Sequence, residues 1–117
     1  EHTADALAAL CPESEGWHAH LGPGIGPTAF EVGEDVLSAF ASHDPRAERA
    51  FVPGARPGKW LADLGMLARQ RLEGAGVRST THTPGCTFRD AARYFSHRRD
   101  RVTGRMATLV WISERAR

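Results

Sequence analysis

Apolar residues along the chain fall at helical spacing in three stretches and at strand spacing in three others, with glycine- and proline-rich breaks between them. Ala4, Leu7, Ala8 and Cys11 recur on one helical face and stop at Pro12, although no Ser, Thr, Asp or Asn stands before Glu1 as a cap. Val32, Val36, Leu37 and Phe40 form a second apolar face, and Glu34 and Asp35 favour a helix N-terminus beside Gly33. Asp44-Pro45 is a cap and first-turn pair for a short helix reaching Phe51, and the VPGARPGK stretch at 52–59 reads as a mobile loop. Leu61, Leu64, Ala68, Leu72 and Ala75 carry the clearest amphipathic pattern, with Arg69, Arg71 and Glu73 turned to water and Gly76 as the stop.

The strand signals are shorter. Trp17 to Leu21 alternates weakly and runs into the GPGIGP turn at Gly22 to Pro27. Val77 to Thr83 is rich in β-branched residues, and Met106 to Ile112 is apolar on both faces, which predicts a buried strand. Between these two, Phe88 to Tyr94 predicts a short helix and Phe95 to Arg99 an extended piece, joined to the last strand by Thr103-Gly104. The pattern predicts an α+β fold, an α/β sandwich with a mixed β-sheet.

Composition narrows the class. A chain of 117 residues is one domain or part of one. Its 25% charged and 41% hydrophobic residues match a soluble globular protein. No apolar run approaches the roughly 18 residues of a membrane span. The opening EHTADALAAL has acids and no basic start, unlike a signal peptide. Cys11 and Cys86 are too few for a disulfide framework, which points to the cytoplasm. A net charge of +1 argues against a strongly electrostatic nucleic-acid binder.

Several residue groups could carry chemistry. His18 and His20 share a strand face, a spacing that holds a metal when a third ligand comes from elsewhere, but also an ordinary one for exposed histidines. His82 and Cys86 flank Pro84-Gly85 and could pair on a metal or as a nucleophile, against the commoner reading of a half-buried thiol beside a loop histidine. The glycine-rich turn matches neither the P-loop nor the dinucleotide fingerprint. His97, Arg98, Arg99, Arg101 and Arg105 follow Tyr94 and Phe95, and so combine guanidinium groups for phosphate with aromatic faces for a base; a solvated basic hairpin is the plainer alternative. Glu31 lies between Phe30 and Val32, where an acid either bonds to structure or serves a site.

Three blocks in order resemble the YfiH-type laccase-domain family of bacterial purine nucleoside phosphorylases, once labelled polyphenol oxidases. LGPGIGPTAFEVGEDV at Leu21 to Val36 resembles the family's Gly-Pro turn and the helix start after it. KWLADLGMLARQRLEGAGV at Lys59 to Val77 resembles its Leu-Asp-Leu helix. CTFRDAARYFSHRRDRVTGRMATLVWI at Cys86 to Ile112 resembles its terminal signature. Thr28-Ala29 and His97 depart from the usual pattern.

The resemblance implies a zinc-dependent enzyme that phosphorolyses adenosine, inosine, guanosine and methylthioadenosine and deaminates adenosine. It implies zinc ligands upstream of the matched region, so that residues 1–117 form the C-terminal part of a single domain, without the metal-ligand half and inactive alone. Copper, for a polyphenol oxidase, and a single-stranded nucleic-acid-binding module are the alternatives. Glu31 and Arg105 are the catalytic residues so implied, and Phe95, Ser96, Arg98, Arg99 and Cys86 the substrate-binding ones. The expected partners are a purine nucleoside and phosphate, with homo-oligomerisation left open.

Overall fold

The computed structural model describes residues 2–10, 16–111 and 113–114. In chain order the elements are helix α1 (His2–Leu10), strand β1 (His18–Leu21), strand β2 (Glu31–Gly33), helix α2 (Glu34–His43), a 3-10 helix (Pro45–Ala50), strands β3 (Phe51–Pro53) and β4 (Lys59–Ala62), helix α3 (Leu64–Gly74), strand β5 (Ser79–His82) and the one-turn helix α4 (His97–Asp100). The α+β architecture read from the sequence is present with both pairing senses, divided over two small sheets. β1 runs parallel to β5, and β2, β4 and β3 pair antiparallel in that spatial order.

Local sequence accounts for most boundaries. Gly33 precedes α2, and Glu34 and Asp35 occupy its first turn, where the helix dipole favours acids. Asp44 closes α2 and starts the 3-10 helix, its side chain accepting the Arg46 N–H at 3.0 Å with Pro45 in the first turn. Asp63 caps α3 by accepting the Met66 N–H at 2.9 Å. That cap places Leu61 in β4, outside the helix. α3 ends as a Schellman motif: Gly76 adopts φ +88°, its N–H donates to Glu73, and the Val77 N–H reaches back to Leu72. Val77 is then buried at 4% exposure, so the turn also anchors the chain leading into β5.

The core lies between the antiparallel sheet and the helices around it. Val32, Ala47, Ala50, Phe51, Ala62 and Leu67 are buried, with Phe30, Val36, Leu37, Phe40, Trp60 and Met66 packed against them. Phe40 and Phe51 meet at a centroid distance of 6.2 Å, and the Arg71 guanidinium lies 5.4 Å from the Phe40 ring centroid. Arg71 therefore covers the core edge and is not simply turned to water. Full burial of a side chain such as Phe51 contributes roughly 1.5–3 kcal/mol.

Four sequence expectations change. The ends of the 52–59 loop are strand: Val52 pairs with Leu61 and Pro53 with Trp60, which leaves 54–58 as the turn. Pro53 is tolerated because β3 is an edge strand. Phe88 to Tyr94 forms successive turns and no helix, with Asp90 N–H bonded to Cys86 O and Tyr94 N–H to Asp90 O. The expected extended piece at Phe95 to Arg99 contains the start of α4, because Ser96 accepts the Arg99 N–H and nucleates a turn. Met106 to Trp111 is neither strand nor buried: Leu109, Val110 and Trp111 are 80%, 92% and 77% exposed. A strand exists through its ladder, and no described strand pairs with this segment. Ile112 lies outside the described residues.

Candidate functional site

Loop, helix and strand meet at a cleft of about 430 Å³, within the range of small-molecule sites. One wall is the Gly22 to Pro27 turn; the others are the first turns of α3, from Asp63 to Arg69, and the end of β5 with His82 and Gly85. Main-chain bonds hold the turn against the loop that follows β5. Thr83 N–H donates to Leu21 O at 2.9 Å and Thr87 N–H to Gly24 O at 3.0 Å. Gly26 eases this approach, since a Cβ there would lie 3.1 Å from Cys86 Cβ and 3.2 Å from its Sγ, close enough to push the thiol aside by a few tenths of an ångström. Leu21, Ile25, Leu64 and Ala68 make the lining largely apolar, and Asp63, Arg69 and His82 are its ionisable residues.

The residues suggested by sequence divide into groups. Arg99 is a clamp: its guanidinium donates to the carbonyls of Thr87, Phe88 and Tyr94 at 2.8–3.1 Å and pairs with Asp100. Ser96 is buried and caps α4. Arg98 donates to Glu31 O at 2.8 Å, with its guanidinium 5.3 Å from the Phe30 ring centroid. The Glu31 carboxylate accepts from Arg56 at 2.5 Å. These contacts join the β2 start to the 87–100 segment, so part of the basic cluster serves the scaffold. Phe95 is 53% exposed, and Gly104 leaves room for its ring: a Cβ there would lie 2.7 Å from Phe95 Cε2. Arg105 is exposed and donates to no described residue. Its segment reaches the cleft wall three residues on, where Thr108 abuts Gly22.

Cys86 is half-buried, and its Sγ accepts the Gly26 N–H at 3.0 Å. Burial opposes the thiolate, but the N–H groups of Gly26, Arg89 and Phe88 and the charge of Arg89 outweigh it and hold the thiol below its ordinary value. No hydrogen bond joins Cys86 to His82. His18 and His20 do share a face, as their spacing predicts, but hydroxyls occupy both rings. His18 bonds Ser79 and Thr81 at 2.7 and 2.9 Å, and His20 bonds Thr81 and Thr83 at 2.8 and 2.9 Å. Among the described residues no three His, Cys, Asp or Glu side chains converge, so those present do not fit a zinc or copper centre. No helix among them is long and apolar enough to cross a membrane.

The family model of the multi-copper polyphenol oxidoreductase laccases matches residues 1–113. The chain belongs to this family. A purine nucleoside phosphorylase of Pseudomonas aeruginosa is 46% identical over 97% of the chain, and one of Xylella fastidiosa is 51% identical over 91%. The purine nucleoside phosphorylase YfiH of Escherichia coli is 42% identical over 92%. The chain spans less than half of these relatives, at 46%, 41% and 44% of their lengths. Among solved structures, a Neisseria meningitidis protein matches with a TM-score of 0.65 at 46% identity, covering 69% of this chain and 33% of its own. The Bacillus licheniformis protein YfiH matches with a TM-score of 0.67 at 26% identity, covering 84% of this chain and 39% of its own. The laccase-family assignment from the three sequence blocks thus holds over nearly the whole chain.

Arg69 was missed as a site residue because the helical pattern shows only that it faces outward. Nothing in the sequence says that the outward face of α3 borders a cleft, which depends on the Gly22 to Pro27 turn packing beside it.

Proposed function

We propose that this chain is the C-terminal part of a single laccase-family domain that splits purine nucleosides with phosphate. The observation that carries this reading is the high identity, across nearly all of the chain, to relatives named purine nucleoside phosphorylase. Adenosine, inosine, guanosine and methylthioadenosine are the proposed substrates, with deamination of adenosine as a second activity. In phosphorolysis a phosphate oxygen bonds to C1′ of the ribose while the C1′–N9 bond breaks. The base leaves with the electron pair and takes up a proton, and the 1-phosphate of the sugar remains, ribose 1-phosphate or, from methylthioadenosine, its 5-methylthio counterpart.

The cleft suits the nucleoside: Leu21, Ile25, Leu64 and Ala68 offer an apolar wall to the base. Arg105 has donors unused among the described residues, in a segment that reaches the cleft wall, and it balances charge on the sugar phosphate as it forms. Glu31, held by Arg56 and tied through its carbonyl to Arg98, orients the polar groups around it. Phe95 offers an exposed ring, whereas Ser96, Arg98, Arg99 and Cys86 act by fixing the loops that frame the site. Zinc is proposed for the complete domain, with ligands outside this chain.

The test is phosphate-dependent release of hypoxanthine from inosine, run with zinc on this chain and on a version extended upstream to the length of its relatives. Activity is expected in the extended protein alone. An extended protein that is folded and zinc-loaded yet releases no purine from any of the four nucleosides would overturn the reading.

A further inference from the structure

The cleft lining contains two basic side chains, Arg69 on α3 and His82 at the end of β5, and they enter it from different elements. Most other arginines are engaged elsewhere. Arg46 pairs with Asp44, Arg56 with Glu31, Arg93 with Asp90 and Arg99 with Asp100; Arg89 bonds Thr28 and Arg98 the Glu31 carbonyl. The side chain of neither Arg69 nor His82 hydrogen-bonds or ion-pairs with any described residue, so both bring unused N–H donors to a largely apolar cleft. The acid in the lining, Asp63, is partly committed, since its Oδ1 accepts the Met66 N–H at the α3 cap. Open donors at a largely apolar cleft suit a small oxyanion: the guanidinium offers a planar fork to two oxygens and the imidazole a single donor to a third.

We infer that Arg69 and His82 form the inorganic phosphate subsite of the cleft, with Arg69 the principal ligand and His82 orienting the anion toward the nucleoside. This rests on the phosphorolysis reading, because it places the second substrate beside the first. Arg69 is exposed on the helix surface, so its replacement leaves the core intact.

The upstream-extended protein, its R69A, R69K and H82A variants, and inorganic phosphate as the probe test this. Initial rates of inosine phosphorolysis give KM for phosphate and for inosine separately, and equilibrium dialysis with labelled phosphate gives binding without turnover. R69A is expected to raise KM for phosphate about 10- to 100-fold with KM for inosine nearly unchanged. H82A should raise it less, and R69K should recover part of the loss. If the parent phosphorolyses inosine and R69A keeps the parent's KM for phosphate, the subsite is elsewhere and the phosphorolysis reading stands. If the parent does not consume inosine but binds phosphate in an Arg69-dependent manner, the subsite holds and that reading fails. A parent that neither turns over inosine nor binds phosphate overturns both.

Discussion

Single residues in this chain carry more structural load than their types suggest. Arg99 satisfies the carbonyls of Thr87, Phe88 and Tyr94 in a segment that lacks regular secondary structure. Its replacement by alanine is expected to cost about 2–4 kcal/mol, as three carbonyls lose a charged donor, and urea denaturation of the parent and R99A checks this. Lysine should recover little, because it lacks the planar fork. Asp44 gives a pH-dependent contribution. The Arg46 side chain, and then the Arg46 N–H, hold its carboxyl below the usual value in the folded state. The folded protein therefore favours the carboxylate more than the unfolded chain does. This contribution is complete above the unfolded value and is lost as pH falls through the folded one. D44N should flatten that part of the acid limb in a thermal melt recorded against pH, and an unchanged limb would refute the linkage.

At the scale of elements, caps written in the local sequence set the boundaries well. Asp44-Pro45 and Gly76 were legible because capping depends on a few neighbouring residues, whereas the apolar spacing ran the helix back to Leu61, past the Asp63 cap that starts α3. Gly76 gives a clean test. With φ +88° and no atom within 4 Å of where a Cβ would sit, alanine there meets backbone strain and no clash. The expected loss is about 1 kcal/mol, read from the urea midpoint with an unchanged slope. The short pieces between β5 and the chain end were misread for the opposite reason. Whether Phe88 to Asp100 is helix, turn or extended depends on where Arg99 and Ser96 find partners, and those partners lie several residues away. The hairpin was hidden because a proline in an edge strand looks the same in sequence as a proline in a loop.

The whole molecule is extended for its length. Its radius of gyration is 16.7 Å, against about 13 Å for a compact domain of this size. The exposed run of Met106, Leu109, Val110 and Trp111 is an apolar surface of the kind that drives association. Light scattering after size exclusion should find this chain associated at micromolar concentration. Charged replacements at Val110 and Trp111 should shift it toward monomer. A cooperative melt from a well-behaved monomer of the unaltered chain would refute that.

By itself the sequence determined the family, the α+β class and the major helices, because motif order, helical periodicity and caps are properties of neighbouring residues. Glu31, Arg98 and Arg99 were legible as notable residues but not as parts of a scaffold, since their partners Arg56, the Glu31 carbonyl and the 87–94 carbonyls are identified only by contact. Tertiary structure alone decided that the GPGIGP turn, α3 and the end of β5 enclose a cleft, and that Arg69 and His82 line it. The physical reason is that a concavity is made by elements distant in the chain: parallel pairing of β1 with β5 brings Leu21 and His82 side by side across sixty-one positions, a relation that no local pattern encodes.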